Sequence, residues 1–404
     1  MSGPLSGIKV VEVSVAMAAP FCGMVLADYG AEVVKVERVQ RGDDSRDWPP
    51  YFYGQMSHYF AAANRNKRSL AIDLKSPQGA EILRSLVSDA DVLLENYRVG
   101  ALERAGLGYE AMSQLNPRLV YCSISGFGRQ GPRREEGAND LFMQAFSGSM
   151  SVTGEEGGGP VKMGISAADI GAGLFAAIGV LGAIEARHHT GRGQHVNTSL
   201  LEGQLAMLSY HLTSYFASGV VPGPQGAGAG FGVPYGAFPT ADDWLIVAVF
   251  NETMWSAFCK GISRVEWTDD ARFCDVAQRI EHRDLLIPML TEVFKTQPAK
   301  HWEQVLNAAA VPCTRINRID QILDEPQVRA GGMIVEVDAP RLGPIRMAAP
   351  PITFSETPGS IVLPPPRLGE HSRSILESLG YARPEIERLA ADGVVGLDAD
   401  EGET

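Results

Sequence analysis

Asp169 is the one carboxylate in the segment KMGISAADIGAGLFAAIGVL, at the head of a run of alanine, glycine, leucine and isoleucine. Two readings fit a carboxylate in that setting. Aspartate is a favoured helix N-cap, and the positive end of the helix dipole welcomes its charge. The same setting also suits a nucleophile, because the helix end keeps the group ionised and small neighbours leave room for a substrate. An ionised carboxylate attacks a thioester to give a mixed anhydride. Such an anhydride lasts only where water is excluded.

Cations at expected strand ends form the second group. Arg38 follows Glu37 at the close of the second strand of a β-α-β unit, where such folds meet a ribose or its phosphate. An arginine there suits a phosphorylated ribose, as in NADP or CoA, and equally suits a solvated surface. The turn after the first strand, SVAMAAPFCG, has no glycine before Gly23, so the G-x-G-x-x-G of an NADP-linked oxidoreductase is missing. Asn64-Arg65-Asn66-Lys67-Arg68-Ser69, followed by Lys75, reads either as an anion site or as a solvated charged face. Asn96-Tyr97-Arg98 lies just past the strand Val92–Glu95, with Arg104 shortly after, where open α/β sheets bind ligands.

The elements that would position these groups alternate. Strands are expected over 8–13, 32–36, 92–95 and 119–123, and helices over 20–29, 76–90 and 109–115, which implies a parallel sheet covered on both faces. A small-residue helix over 168–188 should be central, because its glycines and alanines allow close backbone approach. A short strand over 194–198 follows it. The composition changes near Val220, where VPGPQGAGAGFGVPYG leads to a strand over 245–250 and then to helices rich in Trp and Phe. The expectation is an α/β protein with a Rossmann-like large domain over 1–220 and a smaller α+β domain over 225–325. The chain then returns to the large domain over 330–395, with strands over 333–337 and 345–347 and helices over 373–379 and 384–392, and a disordered tail over 396–404.

Bulk properties narrow the function. Of 404 residues 45% are hydrophobic, enough for a full core, and the net charge is −13. That charge repels phosphate backbones, so no nucleic-acid partner is expected, and local basic groups must hold any anionic ligand. Five cysteines without a C-x-x-C pair argue against a disulfide framework and against structural zinc. No signal-peptide pattern opens the chain, and prolines and glycines break the uncharged stretch 203–241, so the protein is expected to be cytoplasmic and without a membrane partner.

Three runs carry a closer likeness: NRNKRSLAIDLKSPQG, LLENYRVGALERAGLGYEAMSQLNPRLVYCSISGFG and MGISAADIGAGLFAAIGVLGAIEARHHTGRGQHVNTSLLE, with PRLGEHSRSILESLG near the end. In these the chain resembles the family III CoA-transferases, which include formyl-CoA transferase and relatives that use succinyl-CoA or carnitine esters. The resemblance implies that Asp169 is the catalytic nucleophile and that Met17 and Ala18 border the thioester. It implies CoA binding by Arg38, Ile72, Asp73, Leu74, Lys75, Asn96, Tyr97, Arg98 and Arg104. It further implies an interlocked homodimer, a small carboxylic acid as partner substrate, and no metal or redox cofactor beyond CoA or acyl-CoA as substrate. Succinyl-CoA and small dicarboxylates are the substrates expected by analogy. Trp48 and Tyr59 resemble substrate positions of the formyl-CoA:oxalate enzymes. In those enzymes a glycine run precedes the second domain; here it is shortened to 226–232, with Gly228 and Gly230 as substrate positions, and reads either as a lid or as a linker. Acyl-CoA racemases of the same superfamily place a histidine before the aspartate of a GHD-like segment. Here Asn139 precedes Asp140, both expected at the substrate, and an amide cannot shuttle a proton.

Overall fold

The computed structural model describes residues 3–340 and 342–398. They gather into two compact units, one drawn from within 1–147, 163–212 and 327–404, the other from 148–162 and 213–326.

Six parallel strands organise the first unit: β1 (Lys9–Val13), β2 (Glu32–Glu37), β3 (Lys67–Ile72), β4 (Val92–Glu95), β5 (Val120–Ser125) and β6 (His195–Ser199). Their order is β3-β2-β1-β4-β5-β6, and Val395–Gly396 pairs antiparallel outside β3. Both faces are apolar because both are covered. Val10, Val33 and Val92 face one core cluster, and Val11, Leu93 and Tyr121 face the other. The order turns back at β1, so the loops leaving β1 and β4 diverge and open a crevice at their carboxyl ends.

Three helices serve that crevice: α1 (Ala18–Asp28), α2 (Asp140–Phe146) and α3 (Ala167–Thr190). The small residues bring α1 and α3 together, in line with the close approach expected of the second of these. A Cβ on Gly173 would lie 2.6 Å from the Ala18 carbonyl oxygen, and one on Gly23 would lie 1.9 Å from the Glu12 carboxylate. By length and composition α3 could cross a membrane, but 56% of its apolar window is buried inside the fold, as in a core helix.

Two expectations are corrected. Most of the cationic run Asn64–Lys75 is not an open anion site, for it leads into and forms β3. Arg65 holds Asp28 at 2.7 Å and the fully buried Lys67 holds Glu12 at 2.8 Å, so both neutralise buried carboxylates. Of the four cations only Lys75 is exposed. The tail expectation also fails in part. Gly396 pairs with Ala71, and Asp398 accepts an ion pair from Arg367 at 2.8 Å, while 399–404 lie outside the described residues.

The second unit has its own core. Tyr235–Pro239, Trp244–Ala248 and Cys313–Arg315 form an antiparallel sheet, against which Trp255, Phe258, Phe294 and Trp302 pack. The buried Arg279 pairs with Glu252 at 2.7 Å and lies over the Trp255 ring.

Candidate functional site

Asp169 is the third residue of α3, and Ser166 holds the cap position without a side-chain capping bond. The cap comes from α2 instead. Asp140 accepts the Ala168 N–H at 2.9 Å with one oxygen and the Gln144 amide at 2.7 Å with the other. Gln144 in turn accepts the Met163 N–H at 2.8 Å, which fixes the approach to α3. The capping role is therefore filled by Asp140. Among the described residues nothing hydrogen-bonds to the Asp169 carboxylate. Burial, and after it the charge of Asp140, push that carboxyl up to about 7. The expectation that the helix end keeps it ionised is corrected, because burial and the nearby Asp140 charge both favour the neutral acid.

Asp169 faces a cavity of about 630 Å³ between the loops that follow β1 and β4. Met17, Ala18, Trp48, Asn96, Tyr97, Arg98 and Asn139, all expected from the sequence, line it with Asp169. Asn96 clamps the β1 loop in both directions, accepting the Val15 N–H at 3.0 Å and donating to the Val15 carbonyl at 2.8 Å. Ala16 sits at φ 65°, and its N–H donates to Asp43 at 2.9 Å. Asp43 is anchored through Lys35 at 2.9 Å, and Lys35 through Glu12 at 2.9 Å, so a buried ionic chain holds this strained turn beside the cavity. Asn139 caps α2 by accepting the Phe142 N–H at 3.0 Å. Tyr59 does not line the cavity; it stands edge-on to Trp48, ring centres 5.4 Å apart.

A second cavity, of about 540 Å³, shares the Tyr97 wall. It gathers Arg38, Ile72, Asp73, Leu74 and Lys75, the residues that the family resemblance names for CoA, and adds Arg41. Arg38 donates to the Gly42 carbonyl at 3.0 Å and pairs with Asp44. Arg104 borders an adjoining hollow with Lys75 and Arg84. Gly228 and Gly230 belong to the second unit. There their loop is tied down by Gly226 N–H to the Gly154 carbonyl at 2.8 Å and Gly228 N–H to the Gln225 carbonyl at 3.0 Å. Sequence reasoning missed Asp43, Arg41 and Arg134. Asp43-Asp44 beside Arg41 and Arg46 was the available signal, a charged turn directly after β2.

A doubly wound sheet that sets a carboxylate at its switch point, beside a cavity edged with cations, suits an acyl-transfer enzyme working on a nucleotide-bearing carrier. The chain matches CoA-transferase family III over residues 5–372 and belongs to that family; it is a CoA-transferase. It is 36% identical over 393 residues to the succinyl-CoA:glutarate CoA-transferase of Homo sapiens, covering 97% of this chain and 90% of that protein. It is 37% identical over 386 residues to the succinate–glutarate CoA-transferase of Agrobacterium fabrum, covering 93% and 96%. Among solved structures, a CaiB/BaiF family protein from Brucella suis superposes with a TM-score of 0.85 at 34% identity, over 94% of this chain and 100% of that one.

Proposed function

We propose that this enzyme moves CoA from succinyl-CoA to a small dicarboxylic acid, with Asp169 as covalent nucleophile. The observation that carries the reading is the Asp169 carboxylate, relieved of capping by Asp140 and unbonded in the cavity between the β1 and β4 loops. Relatives named for glutarate, D-citramalate and mesaconate support dicarboxylates as the acceptor class. Arg98 on the cavity wall supplies positive charge for such an anion, with Arg134 near it already paired with Glu135.

The steps balance as two exchanges. Asp169 attacks the thioester carbonyl, giving an aspartyl–acyl anhydride and the CoA thiolate. The thiolate attacks the aspartyl carbon of that anhydride, releasing the donor acid and leaving an aspartyl-CoA thioester. The acceptor carboxylate then displaces the thiolate to form a second anhydride. Attack of the thiolate on the acceptor's acyl carbon yields the new acyl-CoA and regenerates Asp169. CoA lies across the two cavities that meet at Tyr97, its thiol end towards Met17 and Ala18. A homodimer belongs to the same reading. Leu174, Phe175, Ile178 and Leu181 form an exposed apolar stripe along the otherwise central α3, which a second copy would cover.

The test is trapping. Enzyme treated with donor acyl-CoA and then hydroxylamine or borohydride should carry the modification at Asp169, and enzyme treated with free CoA should not. Asp169→Asn should lose turnover while CoA affinity stays within a few-fold. Turnover alongside an unmodified Asp169 peptide would rule out the covalent path.

A further inference from the structure

We propose that Glu95 is a positioning residue for the loop 96–98, and that Ser123 and His195 relay its proton towards the surface, so that the loop holds CoA more tightly when Glu95 is ionised. This rests on the reading above, in which CoA crosses at Tyr97. The three residues come from neighbouring strands. Glu95 closes β4 opposite Ser123 of β5, and His195 opens β6 opposite Tyr121. Tyr121 and Ser123 share one face of β5 because side chains alternate along a strand, which sets Glu95, Ser123 and His195 together on that face. Ser123 Oγ lies 2.9 Å from His195 Nε2, and the same hydroxyl hydrogen-bonds the Glu95 carboxyl. The other contact of that carboxyl is the loop itself, for Tyr97 donates its N–H to Glu95 at 2.8 Å.

Glu95 is 5% exposed and, among the described residues, makes no ion pair. Around it stand Tyr97, Tyr121 and Cys122, which burial keeps neutral, the half-buried His195, and the pair Arg129–Glu103, in which each charge already has its partner. On its other side β1 offers only Val13. Burial therefore pushes the Glu95 carboxyl up to about 7, and pushes His195 down to about 4, so the imidazole is neutral. A neutral imidazole has one ring N–H and Ser123 one hydroxyl proton, so the chain of bonds runs one way at a time. With Glu95 ionised, Ser123 donates to the carboxylate and His195 Nε2–H donates to Ser123. A proton taken up at Nδ1 reverses this: the Nε2 proton passes to Ser123, and the Ser123 proton passes to Glu95. The Tyr97 N–H then meets a neutral oxygen instead of a charged one, a bond roughly half as strong. Asn96, its neighbour, clamps Val15 from both sides, so loosening this loop loosens two walls of the Asp169 cavity.

The experiment is calorimetric titration of CoA into the full chain on either side of neutrality, with Asp169→Asn as the common background so that Asp169 does not titrate. Affinity should rise roughly 3- to 10-fold as pH passes upward through neutrality, the difference between a neutral and a charged hydrogen bond. E95Q, an isostere of the protonated acid, should keep the low-pH affinity at every pH. S123A should move the rise to higher pH, because the carboxylate loses the hydroxyl that favours its charge; it carries the test if E95Q does not fold. Titration of the CoA phosphate is common to all variants and cancels in these comparisons. A rise of the same size in E95Q, or an S123A profile that coincides with the background, overturns the proposal. So does a background whose affinity ignores pH. Y97A should weaken CoA at every pH. A Y97A that binds CoA as tightly as the background overturns the placement of CoA at Tyr97, and this role of Glu95 with it.

Discussion

At Asp169 two effects oppose each other: in the proposed role as nucleophile it must be ionised, and the burial that would shield an anhydride from water favours the neutral acid. With the carboxyl at about 7, activity should rise as pH passes through neutrality. Asp140→Asn keeps an oxygen to accept the Ala168 N–H but removes the like charge, so the acid limb of kcat/KM should move to lower pH. A limb that stays in place would mean that burial alone sets the value. The same shift predicts a stability trade. A carboxyl raised in the folded state favours folding below its unfolded value, and that contribution is lost as pH rises through the folded one. Asp169→Asn should therefore raise Tm at pH 8 and leave it nearly unchanged at pH 4, measured by calorimetry. Asp169 itself was legible because it stood alone at the head of an apolar run. Its ionisation was not, because Asp140 reaches it only through the packing of α2 on α3.

Among the elements, α3 was readable from its small residues, and the price of that design is intolerance. Gly173→Leu would drive a side chain into the Ala18 carbonyl 2.6 Å away, backbone that cannot rotate aside. Overpacking of this kind costs about 1–3 kcal/mol, so the urea midpoint should fall with the m-value unchanged. Asn96→Ala should act differently, freeing Val15 and the strained Ala16 turn and raising KM for acyl-CoA more than it lowers stability. Comparable losses in both would make Asn96 purely structural. β3 was unreadable because charge usually marks surface. Arg65 and Lys67 are buried by partners on α1 and β1, Asp28 and Glu12, that local sequence does not bring near.

At the scale of the whole molecule, the proposed homodimer would cover the apolar stripe on α3. Sedimentation should find a dimer at micromolar concentration, and Ile178→Asp should shift it towards monomer. A monomeric wild type, or a dimer untouched by Ile178→Asp, would remove this surface from the interface. The sequence by itself determined the alternation of strands and helices, the class of chemistry and Asp169, because hydrophobic period, turn residues and a motif-bearing segment are local properties. Only the tertiary structure decided which charges remain available. Arg38, Arg65 and Lys67 look alike along the chain, yet Arg65 and Lys67 are each claimed by a carboxylate remote in sequence, while Arg38, Arg41 and Lys75 face a cavity. Charge pairing depends on distance in space, and the doubly wound order β3-β2-β1-β4 sets those distances.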